Sequence, residues 1–62
     1  MKVKVEFENG HVGQYNGKRD VKSALGLTAY QKHQVLHAIE WFSGEGIKPV
    51  DVNFGRVKVS RI

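Results

Sequence analysis

The stretch Thr28–Ser43 constrains the fold most, because it reads as a long helix with two apolar faces. At about 100° per residue, one set of side chains forms the expected core face: Val35, Ile39 and Phe42, flanked by Leu36 and Ala38. Tyr30, His37 and Trp41 fall together on the opposite side. A solvated helix normally carries charged residues there, so this second face predicts a binding surface.

The shortness of the chain strengthens that prediction. A domain of 62 residues buries only roughly 60% of its unfolded surface, and the absence of cysteine excludes a disulfide as reinforcement. We therefore expect a homo-oligomer, such as a homodimer, or a complex with another protein. The expected interface residues are Tyr30, His33, Gln34, His37 and Trp41. On this view Trp41→Ala separates the partners and leaves the core folded.

The N-terminal part predicts a β-hairpin. Residues 2–8 alternate between polar and apolar side chains, which indicates a half-buried strand, and Asn9-Gly10 is a strong turn signal. Two registers are compatible with this turn. A two-residue turn pairs Phe7 with Val12 and is preferred here. A three-residue turn with Gly10 in the left-handed region pairs Phe7 with His11 and moves Tyr15 to the other face.

Lys18–Leu25 predicts a short helix before the main one. In the last segment, Val50–Ile62, the valines change phase at Phe54-Gly55. A β-bulge would explain the change, and so would a hairpin that turns at Phe54-Gly55 and pairs Val52 with Val57. Both alternatives produce antiparallel strands.

These elements predict an α+β fold in one domain, residues 1–62. A small antiparallel sheet combines an N-terminal β-hairpin with a C-terminal strand or hairpin. The main helix packs on one face of this sheet, and a short helix precedes it. No apolar run reaches membrane-spanning length and the N-terminus lacks the pattern of a signal peptide, so we expect a cytoplasmic protein without a membrane contact.

The charge distribution indicates an acidic polymer as partner. Ten basic and six acidic residues give a formal charge of +4, and the excess lies in residues 1–22 and 48–62, towards the two ends of the chain. Basic strands can bind nucleic acid, either DNA or RNA, through its phosphates. The expected contacts are Lys2, Lys4, Lys18, Arg19, Lys22, Arg56, Lys58 and Arg61.

Catalytic and metal sites receive little support. His33 and His37 are one helical turn apart, a spacing that can place two imidazoles on one zinc ion, but a third ligand would have to be His11 or Glu40. No glycine-rich loop opens a helix, and no serine lies in a nucleophile motif. We therefore expect no catalytic residue, no metal and no cofactor.

The sequence thus predicts a small, basic, non-enzymatic regulatory protein that binds nucleic acid through its strands and self-associates through the aromatic helix face. The alternative is a protein-binding module, such as an inhibitor or adaptor, that docks through Tyr30, His37 and Trp41. The two classes differ in their response to salt, because phosphate contacts weaken steeply as the salt concentration rises.

Overall fold

The computed structural model describes residues 1–62 and contains four strands and two helices. They are β1 (Val3–Glu6), β2 (Val12–Tyr15), α1 (Lys18–Ser23), α2 (Ala29–Phe42), β3 (Asp51–Phe54) and β4 (Val57–Arg61). The strands form one antiparallel sheet in the order β2-β1-β4-β3. α2 packs over β3 and β4, and α1 packs against α2 and β2. The predicted α+β architecture is confirmed.

The first hairpin takes the three-residue turn, so the preferred two-residue register is wrong. The Phe7 N–H donates to the His11 carbonyl (2.9 Å), and the Gly10 N–H donates to the Phe7 carbonyl (3.0 Å). Gly10 has a φ of +88°, a conformation that favours glycine. The Asn9 side chain accepts a hydrogen bond from the His11 N–H (3.0 Å), which further stabilises this turn. In this register Tyr15 lies in the core.

The C-terminal segment is a hairpin rather than a bulged strand, and it turns one residue later than the sequence suggested. Phe54 lies directly opposite Val57, which leaves Gly55 and Arg56 as the two turn residues. Gly55 has a φ of +61°, whereas Arg56 has no positive φ. This is the pattern of a type II′ turn, which takes glycine at its first central position. The expected Val52–Val57 pair is therefore wrong.

The core lies between the sheet and the helices and consists mainly of valine. The largest fully buried side chains come from two strands and both helices: Val3, Val5, Val21, Val35 and Val59. The predicted core face of α2 is confirmed, because its buried residues are Val35, Ala38, Ile39 and Phe42. No charged residue is buried, so all charged side chains remain at the surface.

Local capping fixes both ends of α2. The Thr28 side chain accepts from the Gln31 N–H (3.1 Å), and the Gln31 side chain accepts from the Thr28 N–H (2.8 Å). This reciprocal pair is a capping box, which satisfies two backbone donors. At the other end the Ser43 hydroxyl donates to the Ile39 carbonyl (2.9 Å). The helix that carries the predicted interface is thus held at both ends.

Replacement of Phe42 by alanine should unfold the protein. Phe42 is 5% exposed, and truncation of a core phenylalanine costs about 3–5 kcal/mol. A domain of this size has a total stability of only about 3–9 kcal/mol. Circular dichroism without denaturant shows whether the variant is folded, and urea denaturation measures any stability that remains. Leu25→Ala is the control, since Leu25 is 96% exposed; a loss as large as that of Phe42→Ala would contradict this account.

Part of the stability should be lost at alkaline pH through Tyr15. Burial, and secondarily the charge of Asp20, raises the pKa of the Tyr15 phenol above its ordinary value of 10.0. The folded state therefore holds this proton more tightly than the unfolded state. Its contribution is complete below pH 10 and is lost as the pH rises through the folded-state pKa. Between pH 8 and pH 11 the thermal midpoint of Tyr15→Phe should fall less than that of the wild type. An equal fall in both proteins would show that ionisation of Tyr15 does not cause the loss of stability.

Candidate binding surfaces

The predicted interface side of α2 lies beside the edge strand β3. We call the following side chains of this region, which are exposed or partly exposed, the aromatic surface: Tyr30, His33, Gln34, His37 and Trp41 of α2 with Phe54 of β3. The ring centroid of Phe54 is 6.1 Å from that of His37 and 6.3 Å from that of Trp41. The Lys48 Nζ lies 4.8 Å from the centre of the Trp41 ring. The second helix face is thus partly covered within the subunit.

Exposure differs along the aromatic surface. Trp41 is only partly exposed and packs against the core, whereas Tyr30 is 50% exposed and both histidines face solvent. A helical wheel cannot show this difference, because it does not contain the neighbouring strand. Tyr30 also reaches the second turn, where a Cβ on Gly55 would collide with the Tyr30 hydroxyl. The open part of the surface therefore centres on Tyr30 and the two imidazoles.

The two helix histidines do not form part of a larger cluster of ligands. The ring centroids of His33 and His37 are 4.7 Å apart, and no group of three or more possible metal ligands exists. His11 instead stacks on Phe7 (5.6 Å). Glu40 lies beside Lys18 (3.7 Å). The residues considered as third ligands are therefore engaged elsewhere.

The open face of the sheet carries most of the predicted strand cations, but in ion pairs. Three cations lie within 4 Å of a carboxylate: Lys4 beside Glu6 (3.9 Å), Arg56 beside Glu8 (3.5 Å) and Lys58 beside Asp51 (3.9 Å). Exposed pairs of this kind contribute only about 0–1 kcal/mol, so a phosphate can compete for the cations. The carboxylates nevertheless cancel most of the charge, and with Lys2 the face is only weakly positive.

Arg61 lies on the other side of the sheet from these cations. It is in phase with the buried Val59, so its side chain lies on the helix side. Its guanidinium donates to the carbonyls of Lys48 (2.8 Å) and Pro49 (3.1 Å) and lies 5.4 Å from the centre of the Phe42 ring. Arg61 therefore attaches the loop after α2 to the sheet, and it does not join the open-face cations.

A more compact group of cations lies on α1 and the adjoining part of α2. We call it the basic patch: Lys18, Arg19, Lys22 and Lys32. The first three lie within about one helical turn, at spacings that share a face, and Val21 between them is buried. The Lys32 Nζ donates to the Lys22 carbonyl (3.1 Å), which brings in the fourth cation. Lys18 lies beside Glu40 (3.7 Å), whereas Arg19 and Lys22 have no carboxylate within 4 Å.

Lys32 is the member of the basic patch that the sequence analysis missed. It is ten residues from Lys22, and the two meet because α1 packs against α2. Only the relative placement of the helices could have revealed this proximity. The local spacing of Lys18, Arg19 and Lys22, by contrast, was visible in the sequence.

One shallow cavity lies between the start of α2 and the two hairpin turns, near Thr28 and Arg56. Its volume is about 140 Å³, smaller than the roughly 300–1,000 Å³ of typical ligand pockets.

Neither helix has the length and apolar character needed to cross a membrane. Comparison with known proteins finds no matching family model, no similar curated protein and no similar solved structure. The two surfaces described above are therefore the basis for proposing a function.

Trp41→Ala should destabilise the isolated subunit, contrary to the expectation from sequence that the core stays intact. Trp41 contacts Phe42 edge-on at 5.2 Å and also packs on Phe54. A partly buried tryptophan should contribute roughly half of the 3–5 kcal/mol of a core residue, or about 2 kcal/mol. Urea denaturation at low protein concentration measures this. Tyr30→Ala is the comparison and should cost much less; the reverse ranking would contradict the observed packing.

Proposed function

We propose that the protein is a small, non-enzymatic nucleic-acid-binding protein that contacts phosphates chiefly through the basic patch. The observation that carries this proposal is the compactness of the patch. Arg19 and Lys22 have no carboxylate within 4 Å, and Lys32 is held against the end of α1. The chain also has a net charge of +4, which favours association with a polyanion.

The geometry favours phosphate contacts over the recognition of bases. α1 contains six residues, or less than two turns, so it can present its cations to a phosphate backbone but offers little helix to fill a major groove. Contacts to phosphates position a protein without selecting a sequence. We therefore propose binding with low sequence specificity and a steep dependence on salt.

The open-face cations take a secondary role in this proposal. The sequence alone predicts the leading role for the strand cations, among them Lys2, Lys4 and Lys58, because basic strands can bind phosphates. Their neighbouring carboxylates would lie close to any phosphate bound there, and this repulsion reduces the affinity of the face. They add to the positive potential without forming the main contact.

The first test is the salt dependence of binding to fluorescently labelled nucleic acid, single-stranded and duplex. Each duplex phosphate contact contributes about −0.9 to the slope of log affinity against log salt. Three or four contacts from the basic patch predict that affinity falls about 40- to 150-fold between 50 and 200 mM salt. The absence of binding at 50 mM salt, or an affinity indifferent to salt, would refute the proposal.

A pair of double variants locates the contact. Arg19→Gln with Lys22→Gln removes two charges from the basic patch, and Lys4→Gln with Lys58→Gln removes two from the open face. The first variant should lose more affinity and should reduce the salt slope by about 1.8. Equal losses would mean that only net charge matters and that the basic patch is not the site. Thermal midpoints of both variants verify that they fold.

A second candidate function is that of a protein-binding module that docks through the aromatic surface. The observation that favours it is the exposure of Tyr30, which is 50% exposed beside the solvent-facing rings of His33 and His37. Tyrosine and tryptophan are common anchors of protein interfaces. A contact of this kind should persist at salt concentrations that abolish phosphate binding, which separates the two candidates.

A further inference from the structure

The free edge of β3 is complementary to itself. We infer that a second copy of the chain pairs with it edge to edge, so that two four-stranded sheets become one antiparallel sheet of eight strands. The inference rests on the second candidate function, in which the region beside β3 binds protein. The partner that we infer is a second copy of this chain.

The backbone groups of Asp51 and Asn53 point away from the rest of the sheet. The Arg61 N–H donates to the Val50 carbonyl (2.8 Å), so these two residues form a hydrogen-bonded pair of the β3–β4 ladder. Such pairs alternate along antiparallel strands. Val52 therefore also bonds to β4, whereas Asp51 and Asn53 direct their N–H and C=O groups outward. β3 is the outermost strand, so no other strand uses these groups.

One two-fold register satisfies these groups and matches the side chains as well. With Val52 opposite the partner's Val52, Asp51 lies opposite the partner's Asn53 and exchanges two backbone hydrogen bonds with it. Symmetry repeats the exchange and gives four bonds in all. On the helix side Val50 faces the partner's Phe54, a favourable β-branched and aromatic pair. On the open side the carboxylate of Asp51 faces the side-chain amide of the partner's Asn53.

The exposure of these residues supports the register. Val50 is 65% exposed, and Phe54 is only partly buried although it contacts His37 and Trp41. Pairing would bring the partner's Val50 against Phe54 and so cover the rim of the aromatic surface. A displacement by two residues in one direction would place Asp51 opposite the partner's Asp51, and like charges directly opposite are destabilising. In the other direction it would place Asp51 opposite the partner's Gly55, which lies in the turn beyond the β3–β4 ladder.

The other sheet edge is much less suitable for a second copy. Two-fold pairing of β2 about Gly13 would set glycine opposite glycine and Val12 opposite Gln14, which matches few apolar side chains. It would also bring together the two copies of α1, which packs against β2, and with them two basic patches. Pairing through β3 leaves those patches at the far ends of the joined sheet.

Sedimentation equilibrium across a wide concentration range tests the inference. The apparent mass of the wild type should rise from 7.0 kDa to about twice that value. Asn53→Asp sets a carboxylate opposite the partner's Asp51 at two symmetric positions and should weaken the dimer about tenfold or more. Within the subunit Asn53 lies opposite Lys58, so the same change adds a favourable pair. Its thermal midpoint at dilute, monomeric concentration should therefore not fall.

A proline substitution tests the backbone contact separately. The Asn53 N–H points outward, so Asn53→Pro removes no hydrogen bond within the subunit, whereas it blocks a strand at the free edge. This variant should stay monomeric at every concentration. Gln14→Pro is the matched control, because the Gln14 N–H points outward from β2 in the same way. It should leave dimerisation unchanged.

A wild type that remains monomeric at the highest concentration would overturn the inference. So would a dimer that both Asn53 variants leave intact. Tyr30→Ala separates this failure from that of the second candidate function: a dimer that dissociates with Tyr30→Ala but not with the Asn53 variants uses the aromatic surface without β3. A monomeric wild type whose Asp51 and Asn53 amide resonances shift with an added extended peptide would assign the edge to a foreign strand instead.

Discussion

The pairing of β1 with β4 is the interaction on which the rest of the structure depends. It joins two local hairpins into one sheet, and at its centre Val5 lies opposite Val59, both of them fully buried. An isolated two-stranded hairpin is marginally stable in water, whereas four strands with an apolar face can support a helix. The four-stranded sheet against which α2 packs therefore forms only when β1 pairs with β4.

The same pairing separates the two candidate binding regions. Because β1 and β4 occupy the middle of the sheet, β2 and β3 become its edges. α1 packs against β2 and carries the basic patch, while the aromatic surface lies along β3 at the opposite edge. A chain with one small core can therefore offer a charged surface and an apolar surface that do not compete for the same ligand.

Sequence patterns predicted what depends on periodicity, namely the α+β class and the core face of α2. They did not predict what depends on how elements meet. Apolar pairing of Phe7 with Val12 was preferred, but the hydrogen bond from the His11 N–H to the Asn9 side chain supports the longer turn. The position of the second turn was also left open, because the phase change of the valines fits both a bulge and a hairpin. Arg61 shares the phase of Val57 and Val59, so alternation alone places it on the helix side and separates it from the other strand cations.

The strand order also determines when the chain can acquire its structure during synthesis. Residues 3–6 leave the ribosome before residues 57–61 and must wait for them, since these strands are neighbours in the sheet. Each hairpin can close locally within microseconds, but the long loop between β1 and β4 is entropically costlier to close. Until β4 arrives, the inner edge of β1 stays unpaired and open to strands of other nascent chains. A short delay between the synthesis of β1 and that of β4 therefore shortens the time for which this edge is exposed.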